Sequence, residues 1–271
     1  MMNIFDFQKK KQAGEKITMV TCYDYTSAVL VDKSGVDTIL VGDSLAMTMH
    51  GFNSTVPATV EMMAMHTAAV ARGAKDKFIV ADLPFLSYRR DLGDNIAAVQ
   101  AVMQAGAHAV KIEGVAGNAD LIRHLTESGV PVMGHIGLTP QFVHLLGGYK
   151  VQGKTEESAN RLKQEALALE EAGCFAIVLE CVPTVLAAEI TRALRIATIG
   201  IGAGAETDGQ VLVFQDLLGL NTDFRPKFVK NFMDGAALVT AALNDYNNAV
   251  KTGAFPDADH SFGSEKLAKP A

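Results

Sequence analysis

The sequence predicts a single-domain (β/α)₈ barrel, the TIM-barrel fold class, and three observations favour it. Eight short apolar segments alternate with helical patterns along the chain. These segments are continuously apolar, as expected for parallel strands that are covered on both faces. Eight such units in roughly 250 residues match the usual size of this barrel. An open, doubly wound sheet is the alternative, but the regular succession of eight units favours closure.

The predicted strands follow from the apolar runs. In chain order they are Ile17–Asp24, Thr38–Ser44, Phe78–Pro84, Ala109–Gly114, Pro131–Leu138, Ala176–Val182, Ala197–Gly204 and Val211–Phe214. The last is the least secure, because Val211–Leu220 could equally be helical.

Between the strands, apolar residues recur at helical spacing. The predicted helices include Val60–Ala71, Asp94–Ala105, Ala119–Ser128 and Ser158–Ala172. The glycines that follow them are predicted to be left-handed C-caps, namely Gly73, Gly106, Gly129 and Gly173.

The remaining segments define the predicted domain. Thr139–Thr155 is a long glycine-containing connection that carries Tyr149 and Lys150. Loops of this length in compact domains are usually functional lids or disordered, and we expect this one to close over a site. Asn231–Val250 is expected to be a closing helix. Residues 1–256 are therefore assigned to the barrel and residues 257–271 to a polar C-terminal tail.

Composition and charge narrow the class of protein. Hydrophobic residues make up 49% of the 271 positions, and the formal net charge is −6. Basic residues are scattered, which argues against a nucleic-acid partner. No signal peptide and no long apolar span are visible, so we expect a cytoplasmic protein without a membrane partner. Cys22, Cys174 and Cys181 are interpreted as buried, reduced thiols.

Polar residues occur where the apolar strands end. They are Asp43 and Ser44 after strand two, Asp82 after strand three, Lys111 and Glu113 in strand four, His135 in strand five and Glu180 in strand six. In such barrels the active site lies at the carboxyl ends of the strands, so these side chains should meet. Asp43, Asp82 and Glu113 form an oxygen-rich set that suits Mg²⁺ or Mn²⁺, and a 2-oxo acid could complete the coordination.

Several of these residues also have a purely structural interpretation. A single aspartate such as Asp24, Asp43 or Asp82 is often a helix N-cap. Lys111 could form an ion pair with Glu113. His135 is about as easily a hydrogen-bonded core residue as a substrate-binding residue. Five strand ends with polar side chains at once favour a functional site.

The glycine-rich segment Gly200-Ile-Gly-Ala-Gly204 follows strand seven. It is a poor dinucleotide fingerprint, because it comes late and lacks the final glycine. Either a barrel phosphate site or tight packing explains it equally well.

Several motifs, in the order of the chain, resemble the ketopantoate hydroxymethyltransferase family. They are Thr-Cys-Tyr-Asp24, Val-Gly-Asp43-Ser44, Thr55-Val-Pro-Ala-Thr, Ala-Asp82-Leu-Pro-Phe, Val-Lys111-Ile-Glu113-Gly, Gly-His135-Ile-Gly-Leu-Thr-Pro-Gln, Gly147-Gly-Tyr-Lys-Val-Gln-Gly, Leu-Glu180-Cys-Val-Pro, Ile-Gly-Ile-Gly-Ala-Gly204 and Thr-Asp208-Gly-Gln. They extend over nearly the whole chain to His260-Ser-Phe, and no candidate site residue departs from them.

The resemblance implies a reaction and the residues for it. A hydroxymethyl group would pass from 5,10-methylenetetrahydrofolate to 3-methyl-2-oxobutanoate through a Mg²⁺-stabilised enolate, giving 2-dehydropantoate for pantothenate and coenzyme A synthesis. Asp43, Asp82 and Glu113 would surround Mg²⁺, and Asp43, Ser44, Asp82 and His135 would join Lys111 on the substrate. Glu180 would be the base, with Lys111 as the second catalytic group. Family members are homo-oligomers, commonly decamers.

Two alternatives remain at this point. One is a related Mg²⁺-dependent barrel of the phosphoenolpyruvate mutase and isocitrate lyase type, although the catalytic cysteine motif of its lyases is not found. The other is a non-catalytic scaffold, against which the complete set of acidic and basic candidates argues.

Overall fold

Eight parallel strands form a closed barrel in the computed structural model, which describes residues 1–222 and 226–262. The strands are β1 (Ile17–Thr21), β2 (Thr38–Val41), β3 (Phe78–Asp82), β4 (Ala109–Glu113), β5 (Val132–Gly137), β6 (Ala176–Glu180), β7 (Ala197–Ile201) and β8 (Gly209–Leu212). Each strand pairs with the next, and β8 pairs with β1. The predicted fold class is confirmed.

Helices and one 3₁₀ turn connect the strands. They are α1 (Ile4–Ala13), α2 (Tyr25–Asp32), α3 (Leu45–Thr48), α4 (Val60–Gly73), α5 (Leu92–Gln104), α6 (Ala119–Glu127), the 3₁₀ turn Pro140–Phe142, α7 (Val143–Leu146), α8 (Glu156–Glu171), α9 (Thr184–Ala193), α10 (Phe214–Leu217) and α11 (Gly235–Thr252). The four helices predicted between the strands are confirmed as α4, α5, α6 and α8.

Most strands end earlier than predicted. The second strand, for example, ends at Val41 instead of Ser44, because the chain leaves the ladder there and turns into α3. The eighth strand lies two residues earlier than predicted, and Phe214 already begins α10. The polar residues beyond the strand ends therefore lie in the loops above the barrel.

Three of the four predicted C-cap glycines are confirmed. Gly106, Gly129 and Gly173 adopt positive φ angles of 110°, 86° and 100°. Gly73 was predicted wrongly, because it is the last residue of α4 and not a left-handed cap. A Cβ atom at Gly73 would lie 2.6 Å from the Tyr25 carbonyl oxygen in α2, so this glycine permits close packing of two helices.

Helix α1 covers the amino ends of the strands. The Phe7 side chain is fully buried in the barrel core. Its ring contacts Phe78, the first residue of β3, with centroids 5.9 Å apart, and Phe175, just before β6, at 5.0 Å. Lys11 of the same helix forms a 2.8 Å ion pair with Asp208, which precedes β8. Phe7, Phe78 and Phe175 therefore form an aromatic cluster at the amino end of the barrel, opposite the end that carries the candidate site.

We expect Phe7→Ala to lower the free energy of unfolding by about 3–5 kcal/mol, because truncating a buried phenylalanine leaves a cavity as well as losing apolar burial. Urea denaturation measures the change. The matched control is Phe5→Ala in the same helix, where the side chain is 67% exposed. That control should stay within about 0.5 kcal/mol of the wild type. Equal effects of the two substitutions would contradict the conclusion that Phe7 stabilises the amino end of the barrel.

The strands and the last helix belong to different compact units. All eight strands lie in the unit made of Met1–Phe214 and Pro226–Val229, and α11 lies in the unit made of Gln215–Arg225 and Lys230–Ala271. Residues 263–271 of the predicted polar tail fall outside the described residues, so the division at residue 256 stays a prediction. Among the helices that the structure describes, none is both long and apolar enough to cross a bilayer.

Candidate active site

The predicted site residues meet at the carboxyl ends of β2 to β6. Asp43 and Ser44 follow β2, Asp82 ends β3, Lys111 and Glu113 lie in β4, His135 lies in β5 and Glu180 ends β6. In the ladders, Asp82 pairs with Lys111 and Glu113 pairs with His135. Because side chains alternate along a strand, Lys111 and Glu113 share one face of β4, and both side chains are buried.

Lys111 is at the centre of this cluster. Its Nζ lies 3.2 Å from Asp82 Oδ1, 3.9 Å from Glu113 Oε1 and 3.1 Å from His135 Nδ1. Burial acts to lower the pKa of Lys111, but the carboxylates of Asp82, Glu113 and Asp43 outweigh it and hold that pKa above its usual value. Lys111 is therefore a fully charged ammonium inside the barrel mouth.

Three buried carboxyl groups face this single ammonium. Burial raises the pKa of Asp43, Asp82 and Glu113, that of Glu113 to about 7, while Lys111 acts in the opposite direction on all three. Asp82 Oδ1 and Glu113 Oε1 form ion pairs but accept no hydrogen bond from the described residues. When all three carboxyl groups are ionised, the cluster has an excess of negative charge and free oxygen lone pairs.

His135 links the cluster to Glu180. Its Nδ1 lies 3.3 Å from Glu113 Oε1, and its Nε2 lies 3.3 Å from Glu180 Oε2. Burial, and next the charge of Lys111, lower the pKa of His135, so the imidazole is neutral. Glu180 is the acidic group of the set that is open to solvent, with its side chain 15% exposed.

The N-cap interpretation holds for only one of the three aspartates. The Asp24 carboxylate accepts a hydrogen bond from the backbone N–H of Ser27 and caps α2. Asp43 and Asp82 cap no helix, and Asp82 Oδ2 instead accepts a 3.0 Å hydrogen bond from the Asp43 backbone N–H. The Ser44 hydroxyl lies 2.7 Å from the Tyr23 hydroxyl and makes no capping bond.

Gln141 lies in the middle of the cluster, although no sequence pattern predicts a role for it. This buried side chain donates from Nε2 to Asp43 Oδ2 at 2.8 Å, and its backbone N–H donates to Glu113 Oε2 at 3.0 Å. The Tyr88 hydroxyl donates to Gln141 Oε1 at 2.7 Å. The residue stands at the end of the quoted motif Gly-His135-Ile-Gly-Leu-Thr-Pro-Gln. A neutral amide in a loop gave no other signal.

The predicted loop Thr139–Thr155 contains the 3₁₀ turn and α7 before it becomes irregular. Tyr149 lies beside the cluster: burial, and then the carboxylates of Glu180, Asp43 and Glu113, raise its pKa. Its hydroxyl donates to Met47 Sδ at 3.6 Å. The later part of the loop is tied to the end of β6 by a 2.9 Å hydrogen bond from Gln152 N–H to the Cys181 carbonyl oxygen. The loop therefore borders the site, and its closure stays a prediction.

The donor set fits a hard divalent cation. Within residues 1–222 and 226–262, no three His, Cys, Asp or Glu side chains converge as a finished ligand group. Mg²⁺ commonly binds to one or two carboxylates and takes water or substrate oxygens at its other positions. The unbonded oxygens of Asp82 and Glu113, with Asp43 beside them, supply this kind of donor.

Close packing explains the glycine-rich segment. A Cβ atom would lie 2.6 Å from Thr207 Oγ1 at Gly200, 2.9 Å from the Phe228 ring at Gly202 and 2.5 Å from Thr184 Cγ2 at Gly204. The three cysteines are free; Cys22 and Cys174 are buried as predicted, whereas Cys181 is partly exposed.

Comparisons with known proteins cover nearly the whole chain. A family model described as ketopantoate hydroxymethyltransferase matches residues 1–258. A 3-methyl-2-oxobutanoate hydroxymethyltransferase of Bdellovibrio bacteriovorus is 57% identical over 262 residues, which is 97% of this chain and 100% of the relative. One of Coxiella burnetii is 56% identical over 256 residues, which is 94% of this chain and 96% of the relative.

Solved structures with a similar fold are more distant in sequence. A phosphoenolpyruvate phosphomutase of Streptomyces platensis subsp. rosaceus superposes with a TM-score of 0.63 at 13% identity, covering 93% of this chain and 88% of that chain. A phosphonopyruvate hydrolase in complex with oxalate and Mg²⁺ gives 0.62 at 12% identity, with coverages of 96% and 93%. At such identities the likeness shows the barrel fold alone.

Proposed function

This chain belongs to the ketopantoate hydroxymethyltransferase family, and from that premise we propose how its barrel mouth acts as a one-carbon transferase. It is a 3-methyl-2-oxobutanoate hydroxymethyltransferase, which places it in pantothenate synthesis. The co-substrate is 5,10-methylenetetrahydrofolate, and the product is 2-dehydropantoate. The observation that carries this proposal is the convergence of five acidic and basic strand-end residues in a chain that matches this family from residue 1 to residue 258.

Asp43, Asp82 and Glu113 would hold Mg²⁺ at this site. When bound, the ion supplies Lewis-acid polarisation of the keto oxygen of the substrate, a contribution worth several kcal/mol in metalloenzymes generally. Asp43 and Ser44 would also contact the 2-oxo acid, with Asp82 and His135 close to it. Three buried carboxyl groups around one ammonium, with Asp82 Oδ1 and Glu113 Oε1 held only by ion pairs, support this assignment.

Lys111 binds the acidic substrate and stabilises negative charge. A 2-oxo acid brings a carboxylate, and its keto oxygen becomes negative as the C3 proton leaves. A buried ammonium in a site of low dielectric constant stabilises such charge more strongly than one in water. The short contacts of Lys111 with Asp82 and His135 fix the position of its Nζ before substrate arrives.

Glu180 removes the C3 proton of 3-methyl-2-oxobutanoate. Its side chain is at the end of β6 and reaches solvent, so an incoming substrate can contact it. A bond then forms between C3 and the methylene carbon of the folate, and the two bonds from that carbon to the folate nitrogens break. One water molecule supplies the hydroxyl oxygen, and its proton and the proton taken from C3 pass to the two nitrogens as tetrahydrofolate leaves. His135 Nε2 lies 3.3 Å from Glu180 Oε2, close to the proposed base. The loop at Tyr149 and Lys150 closes over the bound substrates and excludes bulk water.

The chain self-associates, and we propose a homodecamer. Helix α11 carries exposed apolar side chains at spacings of three and four residues, namely Val239, Leu243, Tyr246 and Val250. An apolar stripe of this kind usually marks a protein–protein interface. Sedimentation equilibrium measures the mass in solution, and a monomer at all concentrations would contradict this part of the proposal.

The direct test is product formation by the full-length chain. We expect 2-dehydropantoate from 3-methyl-2-oxobutanoate and 5,10-methylenetetrahydrofolate in the presence of Mg²⁺, and its loss when a chelator removes the ion. Mass spectrometry of the product gives the readout. No product with either Mg²⁺ or Mn²⁺ would refute the function. In that case phosphate inhibition would favour the phosphoenolpyruvate mutase type of barrel, and absence of any 2-oxo acid or metal binding would favour a scaffold.

A further inference from the structure

The carboxyl groups of the site share a pattern of hydrogen bonding. One oxygen of each accepts a backbone or side-chain amide hydrogen: Asp43 Oδ2 from Gln141 Nε2, Glu113 Oε2 from the Gln141 backbone N–H, and Asp82 Oδ2 from the Asp43 backbone N–H. The other oxygens of Asp82 and Glu113 accept no hydrogen bond from the described residues. Two of the three amide contacts come from Gln141.

The orientation of the Gln141 amide is fixed from both ends. Nε2 donates to Asp43 Oδ2 at 2.8 Å and to the Leu83 carbonyl oxygen at 2.9 Å, and a carbonyl oxygen can only accept. Oε1 accepts from the Tyr88 hydroxyl at 2.7 Å. A flipped amide would direct Oε1 at both of those oxygens and would lose the bond from Tyr88. Both hydrogens of the amide and one lone pair of its oxygen are therefore used.

The neutral charge of Gln141 matters for the chemistry. A lysine or arginine in this place would also fix the carboxylates, but it would neutralise them and compete with a bound cation. An amide donates hydrogen bonds without adding charge. It holds the carboxylate oxygens in place and leaves their negative charge available.

We propose that Gln141 is a positioning residue that orients Asp43 and Glu113 toward the divalent cation, and that Tyr88 fixes the amide of Gln141 for this role. This inference rests on the proposed function, since it assumes that these carboxylates hold Mg²⁺. Outer residues that orient metal ligands typically change metal affinity or activity by about 10–100-fold when mutated.

Mn²⁺ binding to the purified full-length protein tests the proposal without any turnover. The signal of free Mn²⁺ in electron paramagnetic resonance gives the dissociation constant. We expect Gln141→Met, which keeps the length of the side chain and the backbone N–H to Glu113 but removes the side-chain donor to Asp43, to raise that constant about 10–100-fold. Tyr88→Phe keeps the amide but releases its orientation, so its effect should have the same direction and be smaller. The control Gln100→Leu, on an exposed position of α5, should bind Mn²⁺ like the wild type.

A purely structural role for Gln141 gives a different result. It would lower the thermal midpoint of the metal-free protein and leave the Mn²⁺ dissociation constant unchanged. Wild-type affinity in Gln141→Met and Tyr88→Phe overturns the proposal, and Tyr88→Phe decides alone if Gln141→Met does not fold. Normal Mn²⁺ binding by the wild type with unaffected variants refutes this inference only, whereas no binding by the wild type refutes the metal site of the proposed function as well.

Discussion

Replacing Glu180 with glutamine is expected to lower the exchange of the C3 hydrogen of 3-methyl-2-oxobutanoate with solvent deuterium by at least about 10²-fold. Glutamine keeps the shape of the side chain but cannot accept the proton. Exchange requires the keto acid, Mg²⁺ and the base, and it does not require carbon transfer. Proton NMR of the C3 hydrogen in deuterated water follows it directly. Substrate should still bind to the variant, because Lys111 and the carboxylate cluster are intact.

The matched control is Glu171→Gln, an exposed position at the end of α8 that should exchange at the wild-type rate. Each measurement is repeated with tetrahydrofolate, since folate binding could be needed to close the loop at Lys150. A wild-type rate in Glu180→Gln would exclude Glu180 as the base. The neutral imidazole of His135, 3.3 Å away, would then be the next group to test.

Replacing Lys111 with methionine is expected to weaken binding of the keto acid and to slow its exchange together. The substitution removes the positive charge that faces the substrate carboxylate and the developing oxyanion. It also leaves three buried carboxyl groups without their cation. Breaking a buried ion pair by removing one partner typically costs about 3–5 kcal/mol of stability. Isothermal titration calorimetry with the keto acid, NMR exchange and urea denaturation measure the three effects.

The loss of stability in Lys111→Met should depend on pH. A raised pKa in the folded state means that protonation favours folding, so this stability is present at low pH and is lost as pH rises through the folded pKa. For Glu113 in the metal-free wild type, that window runs from 4.5 to about 7. Without Lys111 the pKa of each carboxyl group rises further. Metal-free Lys111→Met should therefore go on losing stability as the pH rises above about 7, more steeply there than the wild type, and parallel curves would reduce Lys111 to a minor electrostatic partner.

The charged part of the site is predictable from the sequence because the barrel fold fixes where the strands end. Parallel strands place their carboxyl ends at one mouth, so Asp82, Lys111 and Glu180 could be grouped without knowing any distance. The predicted strands extend too far, because an apolar run does not show where the backbone leaves the hydrogen-bonded sheet. Strand β2 ends at Val41 and β8 ends at Leu212, because the backbone turns there toward α3 and α10.

Gln141 could not be found in this way. Its proposed role depends on the 3₁₀ turn in the loop after β5. That turn brings the Gln141 side-chain amide to Asp43, which follows β2, and the Gln141 backbone N–H to Glu113 in β4. Gly73 illustrates the same limit. Helix α2, which leaves no room for a Cβ atom at Gly73, lies far from that glycine in sequence. Contacts between distant segments leave no periodic signal at either residue.

The aromatic cluster at the amino end of the barrel has a consequence for folding during synthesis. Phe7 is synthesised before its partners Phe78 and Phe175, which follow only when the third and sixth strands are made. Until then α1 has no finished surface to cover, and its phenylalanine is exposed to water or to chaperones. Contacts between residues so far apart in sequence form slowly, because a long loop must close first. Helix α1 is thus made well before it can reach its native place, which requires the residues of β3 and those just before β6.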